Sequence, residues 1–400
     1  MKYIPVKAVS VYLWGRRVGV LVHAYDQYSR FEYDPGFRRS GLEIAPFAMP
    51  LSRAIYTSDE FELPRRAFFG LPGVFADSLP DSFGNRLVQK WMESHGIELS
   101  EITPLDRLAY VGSRGMGALT YEPDTGPKRP VPTAVDMRRL VEEARMALNA
   151  DLSKMDGDGA LREIIRVGTS AGGAQAKAVV AWNRATGEFL AGQENLPPGF
   201  EHWLVKFTPR NLPSAGEEEY GIYLKARAAG IEMSESRLYE LDGVKHFMTK
   251  RFDRDGERRH LVQTLCALRH LPPGGPSELS SYDSLFDTAD ALSLGYRPME
   301  EIFRRMAFNV CVNETDDHSK NFSFLMREGG KWELAPAYDL TGCHFSPAEA
   351  AWGDWQNRHA LSVNGKFSGI TDADILAVGE RYGLGTAQKV LSQVKAALGL

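Results

Sequence analysis

Apolar and polar positions alternate over short runs early in the chain and give way to helical spacing towards its end. Residues 9–33 are β-branched and aromatic, broken at Trp14-Gly15-Arg16-Arg17 and around Asp26, which predicts short antiparallel strands joined by turns. Past Phe61, a polar cap within residues 78–86 opens a helix carrying Leu87, Val88, Trp91 and Met92. Residues 121–132, with five Pro and Gly positions at 123, 126, 127, 130 and 132, have linker composition, and helical periodicity returns over 135–148. Strands of a second sheet are expected at 178–182 and 202–207 with a turn near 184–187, then a helix over 218–229 ended by Gly230 in a left-handed cap. Beyond Arg254 helices are predicted over 284–294, 299–312 and 373–398, interrupted by the Pro- and Gly-rich residues 272–276. A mixed front half and a helical back half make a two-lobed α+β plan.

The 400 residues, 43% hydrophobic and 25% charged, suffice for two or three subdomains with real cores. Forty-seven basic against 52 acidic side chains leave a net charge of −5, so there is no global attraction to nucleic acid or to an anionic membrane. The first 20 residues lack an apolar signal core and no stretch approaches a membrane span, which points to a cytoplasmic protein without a membrane partner. Cys266, Cys311 and Cys343 are scattered and lack CxxC spacing, which suggests neither disulfides nor zinc.

The chemistry concentrates in residues 313–326. A helix ends there in a polar loop, Asp316-Asp317-His318-Ser319-Lys320-Asn321; a hairpin turning at 327–331 then returns to Asp339 and brings it beside Asn321. Phosphoryl transfer needs a carboxylate near the attacking hydroxyl and hard oxygens to hold magnesium. The five-residue step from Asp316 to Asn321 matches the spacing of a kinase catalytic loop, and the step from Asp317 does not. Asp316 is therefore the expected base, Asn321 and Asp339 the expected magnesium ligands, and Asp317 a position at which Asn should be tolerated. His318 is expected to act as a hydrogen-bonding strut.

Residues 167–177 form a second, glycine-rich constellation whose backbone amides could cradle phosphates. Lys177 is followed by Ala178 and a strand, so this is no Walker A loop, and in isolation it reads as an ordinary hairpin. Lys206 interrupts an apolar strand and faces either a cleft or solvent. About a dozen residues after Lys206, Glu217, Glu218 and Glu219 open a helix, in the manner of the kinase pairing of a strand lysine with a helix glutamate, although the helix dipole suffices to account for them. Rival readings are a metal-dependent phosphohydrolase using Asp316, Asp317, His318 and Asp339, a small-molecule or lipid kinase, and a non-catalytic corepressor.

Taken in order, LPDSFGNRL, TSAGGAQAK, WLVKF, KRFDR, TDDHSKNFSF and LAPAYDL make the sequence resemble the HipA family of bacterial serine/threonine kinases. The resemblance implies a two-lobed protein-kinase-like fold. Residues 1–125 would form a β-rich N-terminal subdomain, 126–253 the ATP-binding part of the N-lobe, and 254–400 an all-helical C-lobe with the catalytic loop. It implies ATP and Mg2+ as cofactors, with Gly172, Gly173, Ala174, Gln175, Lys177, Lys206, Lys250, Phe252 and His318 at the nucleotide. It also implies Asp316 as base, Asn321 and Asp339 at the metal, and autophosphorylation of Ser170 as an off-switch. Lys250 stands where relatives often carry an acidic residue, so contact there is expected through the backbone, and Asp317 stands where glycine is frequent. The implied target is a protein, an aminoacyl-tRNA synthetase, whose phosphorylation arrests translation and favours persistence. The implied partner is a small HipB-like helix-turn-helix antitoxin, through which DNA would be contacted.

Overall fold

A computed structural model describes residues 4–23, 28–61, 68–80, 82–126, 133–148, 175–191, 195–272, 277, 279–342 and 358–400. The β-branched opening forms strands β1 (Ala8–Leu13), β2 (Arg16–His23), β3 (Ser29–Tyr33) and β4 (Ile55–Thr57), joined by β5 (Leu119–Glu122) in a five-stranded antiparallel sheet of order β4-β3-β2-β1-β5. Strand alternation sends Val9, Val11 and Leu13 to one buried face. That face shares a single core with Ile302, Phe303, Met306 and Val390 from the helical back half. The two ends of the chain thus stabilise each other through one apolar interior.

The second sheet contains β6 (Thr133–Ala134), β7 (Lys177–Asn183), β8 (Phe189–Ala191), β9 (Phe200–Lys206), β10 (Ser236–Leu241) and β11 (Val244–Lys250) in the order β10-β11-β9-β7-β8-β6. On one face Ala178, Val180, Trp203, Val205 and Met248 pack against Phe83 and Leu87 of the helix Ser82–Ser94 and Leu140 and Val141 of the helix Met137–Leu148. The opposite face takes its direction from the register. Lys177 pairs with Lys206, and Lys206 with Phe247, so the three side chains stand in a row across three strands. The helix Ala215–Ala228 packs against β10 and β11, and Gly230 follows it at φ +84° as the left-handed position required.

Three helices of the back half begin on side-chain caps: Thr264 for Leu265–Arg269, Ser281 for Tyr282–Ala291 and Thr371, in a capping box with Asp374, for Asp372–Arg381. The single helix expected over 373–398 is two, because Gly383 at φ +66° and Gly385 break it before Ala387–Leu398. Residues 254–400 depart from the all-helical expectation by two small β elements, of which only the hairpin turning at 327–331 was expected. One is a two-stranded hairpin of β12 (Arg254–Asp255) and β13 (Arg258–Arg259). The other is a three-stranded sheet of β14 (Leu261–Thr264), β15 (Ser323–Met326) and β16 (Trp332–Leu334). The strands β12, β13 and β14 are too short to show a period, and β14 runs straight into a helix.

The two halves meet at a buried ionic junction. Asp253, wholly buried, accepts from Arg251 Nε at 2.8 Å and Nη2 at 2.6 Å, from Arg254 Nη1 at 2.5 Å, and from the amide of Gly117 at 2.8 Å. Arg254 and Arg259 then donate to the carbonyls of Ser113, Gly115 and Gly117. Burial alone would raise the Asp253 pKa, but the two guanidiniums hold it far below the carboxylate range. Asp253→Ala should leave those cations buried without their partner and lower unfolding stability by about 3–5 kcal/mol, read from the denaturant midpoint. A midpoint unchanged from wild type would show that the junction adds nothing to stability.

Candidate active site

The helix Tyr296–Val312 stops at Asn313, which takes φ +55°, and the chain turns into a loop. Several groups of that loop are tied down by hydrogen bonds from and to distant segments. Buried Glu314 accepts from the amide of Asp316 at 3.2 Å through one oxygen, and from the amides of Thr341 and Gly342 at 2.6 and 2.7 Å through the other. Ser319 donates to the carbonyl of Pro272, and the Tyr338 hydroxyl to that of Lys320, each at 2.6 Å. Asn321 donates from Nδ2 to the carbonyl of Asp316 at 2.7 Å, which leaves its amide oxygen as the accepting end.

The neighbouring aspartates are sharply different. Asp317 is 1% exposed and points into the protein, where it accepts from Tyr282, His359 and the amides of Ala360 and Leu361. Asp316 lies at the cleft with 68% of its side chain exposed, 3.7 Å from His318 Nε2. Enclosure by protein and the negative Asp339, Glu314 and Asp317 raise its pKa to about 6, while His318 opposes the shift. Water in the open cleft moderates that rise. This geometry counts against the expectation that Asn would be tolerated at 317, because both carboxylate oxygens accept and an amide keeps only one accepting oxygen.

Lys206 is buried between two carboxylates. Its ammonium donates to Glu219 Oε1 at 2.5 Å and to Asp339 Oδ1. Burial works against the charge, yet Asp339 and Glu219 outweigh it and carry the lysine above its ordinary pKa. Burial likewise raises Glu219, whereas at Asp339 the pull of Lys206 and then Lys177 overcomes burial and keeps the carboxyl ionised. Lys206 therefore faces the cleft, and of the three helix-opening glutamates Glu219 does more than suit the helix dipole: it fixes the lysine. Asp339 stands at φ +56°, uncommon for a side-chain-bearing residue and frequent where a backbone is held for function.

One cavity is lined by Asp316, Asn321 and Asp339 together with Tyr338, Phe322 and Leu340, so the hairpin does return Asp339 to Asn321. Phe252 joins them from the end of the second sheet by packing on Tyr338, ring centroids 5.7 Å apart. The Lys250 side chain does not join. It lies opposite Trp203, on the far face of the sheet from Lys206, and its ammonium meets Glu201 at 2.5 Å. The Gln175 amide donates to the carbonyl of Phe207 at 3.2 Å. His318 Nδ1 has no hydrogen-bond partner among the described residues, so the strut role is seen only in its approach to Asp316. Ser170, Gly172, Gly173 and Ala174 lie outside the described residues. Glu219, Glu314, Tyr282 and His359 were not singled out by sequence reasoning as residues of the site. Only the spacing of Glu219 from Lys206 hinted at one of them.

The fold and this arrangement define a two-lobed, protein-kinase-like α+β protein. Residues 9–122 match the HipA N-terminal domain and residues 169–398 the HipA-like C-terminal domain, and the chain belongs to the HipA family. It is similar to a Sinorhizobium fredii protein named "Putative kinase Y4dM", 24% identical over 34% of this chain and 36% of that protein. It is also similar to a Haemophilus influenzae protein named "Putative kinase", 26% identical over 35% of this chain and 44% of the relative. The alignments thus span under half the length of these curated relatives. Among solved structures, HipA of Shewanella oneidensis, in a complex with HipB and its operator DNA, superposes with a TM-score of 0.64 at 17% identity over 97% of this chain and 91% of that one.

Among the described residues no group of three or more His, Cys, Asp or Glu is placed to hold a metal by itself. Asn321 and Asp339 offer two hard oxygens on one cavity wall, which fits a magnesium ion whose remaining positions are filled by phosphate and water. Because Glu314 satisfies three loop amides, Glu314→Ala should lower unfolding stability by about 3 kcal/mol in urea titration. A loss below about 1 kcal/mol would show that water replaces the carboxylate at no cost.

Proposed function

We propose that this chain is an ATP- and Mg2+-dependent serine/threonine protein kinase of the HipA type. The observation that carries the reading is one cavity wall that presents Asp316, Asn321 and Asp339 beside the Lys206–Glu219 pair, with Asp317 turned away. Magnesium, when bound, supplies positive charge that neutralises the phosphate oxygens. Lys206, held in place by Glu219, meets phosphate oxygens of ATP. The exposed Asp316 carboxylate orients a substrate hydroxyl and accepts its proton while the new O–P bond forms and the bond between the β- and γ-phosphoryl groups breaks, leaving ADP. Asn321 and Asp339 are the metal ligands, Phe252 is a wall of the adenine site, and the amides of residues 172–174 are the phosphate cradle.

The proposed target is an aminoacyl-tRNA synthetase, with growth arrest as the outcome and autophosphorylation of Ser170 as the off-switch. A HipB-like helix-turn-helix antitoxin is the proposed partner, with operator DNA contacted mainly through it. The likeness to Shewanella HipA in its complex supports this assignment. Among the described residues no helix is long and apolar enough to cross a membrane, in keeping with a soluble, cytoplasmic kinase. Purified protein incubated with labelled ATP, magnesium and host lysate, followed by mass spectrometry, tests the target. A labelled synthetase supports the assignment, and label confined to lipid or sugar overturns it.

The base assignment has a pH signature. A raised carboxyl pKa leaves Asp316 protonated in mild acid, so kcat/KM should fall as pH drops through about 6 and level off above it. Asp316→Asn should abolish transfer with unfolding stability within about 1 kcal/mol of wild type, since the side chain is largely exposed. A profile flat from about pH 5 to 8, or an active Asn variant, would remove Asp316 from this role.

A further inference from the structure

Asp317, like Glu314, is an almost fully enclosed carboxylate of the catalytic loop, and the transfer scheme gives it nothing to do. Its Oδ2 accepts from the Tyr282 hydroxyl and from His359 Nδ1, both at 2.8 Å, and its Oδ1 from the amides of Ala360 at 2.7 Å and Leu361 at 3.4 Å. A carboxylate only accepts, so the His359 hydrogen sits on Nδ1. The donors are themselves fixed. Asn309 donates to the Tyr282 hydroxyl at 2.9 Å, and residues 280–282 pair with Ser362 through Tyr282 N to Ser362 O and Ser362 N to Ser280 O, both 3.0 Å. Asp317 therefore plugs the loop into a scaffold built from the start of one helix and the strip 359–362. On the other side of Asp316, Glu314 holds the Asp316 amide at 3.2 Å.

Resting on the kinase reading above, we propose that Asp317 and His359 are a positioning pair for phosphoryl transfer. They fix the backbone directly after Asp316, and so the aim of its carboxylate, without touching nucleotide or metal. The pair is a bond between a loop residue and a residue 42 positions later in the chain. Its loss lets the base wander while the Lys206 cluster, on other elements, keeps its geometry. A displacement of the base by about 1 Å is enough to cost on the order of 100-fold in rate.

The test compares the full-length wild-type chain with His359→Ala, His359→Asn and Tyr282→Phe, measuring kcat, KM for ATP, urea stability and amide exchange. His359→Ala should lower kcat about 10- to 100-fold with KM for ATP within about twofold, the split expected when only the reacting geometry suffers. His359→Asn, whose amide places a donor near the position of Nδ1, should recover most of that loss. Tyr282→Phe removes a single donor and should change kcat in the same direction, which keeps the idea testable if His359→Ala does not fold. An unchanged kcat overturns the proposal, and so does a parallel fall of kcat and ATP affinity that Asn does not repair, since that is the mark of a purely structural contact. If the wild type transfers no phosphate, the kinase reading falls. The anchoring is then judged by exchange alone: faster exchange confined to residues 315–320 in His359→Ala supports it, and an unchanged pattern overturns it.

Discussion

The contact on which the cleft depends is the Lys206 ammonium, drawn out of water and placed against Glu219 and Asp339. It is the point at which the second sheet, the helix Ala215–Ala228 and the loop after β16 touch through charge. A lone buried ammonium would be too costly to keep ionised, and two carboxylates without it would repel each other. The shifts are unequal: Asp339 is held ionised by Lys206 and Lys177, while Glu219, the deeper acid, is pushed towards its protonated form by burial and by Asp339. Lys177 stands beside Lys206 on the neighbouring strand and adds a second ammonium near Asp339, the charge that phosphate oxygens require.

The acids of residues 314–317 divide by burial. Glu314 and Asp317 are nearly inaccessible, and both bind backbone amides of segments far along the chain. Asp316, between them, is the one turned to the cleft. The division follows from the loop geometry: consecutive side chains of an irregular loop leave in different directions, so adjacent aspartates in the sequence reach opposite environments. The same grip explains how Asp339 persists in a left-handed backbone conformation. Glu314 fixes the amides two and three residues beyond it, and Lys206 holds its carboxylate, so the local cost is met by contacts on both sides.

Much of this was legible from residue pattern. Residue pattern marked β1 to β3 of one large sheet and β7 and β9 of the other, and the Asp316 to Asn321 spacing told the two aspartates apart. The return of Asp339 followed from a hairpin whose turn residues are plain in Arg327-Glu328-Gly329-Gly330-Lys331. What escaped has a common cause. Glu219, His359 and Tyr282 act through partners 13, 42 and 35 positions away, and a residue type that suits its own helix or strip gives no sign of a distant partner. Lys250 is the converse case, since it ends β11 much as Lys206 ends β9. Only the register shows that it stands opposite Trp203 and not Lys206, and so on the other face.

The segment after β11 serves two tasks within four residues. Phe252 turns towards Tyr338 at the cleft, while Arg251, Asp253 and Arg254 turn inward to the loop at residues 113–117. Gly117 is suited to that loop because it stands at φ +74° with the backbone of Val262 already close. The wall of the cleft is thus attached by short, fully buried hydrogen bonds to the N-terminal subdomain and not only to its own sheet. A rigid-body rotation of the second sheet against the helical half would have to break the Asp253 junction or carry the N-terminal subdomain with it. Breaking it would leave the Gly117 amide and the carbonyls of Gly115 and Gly117 without their buried partners, so the second course is the less costly one.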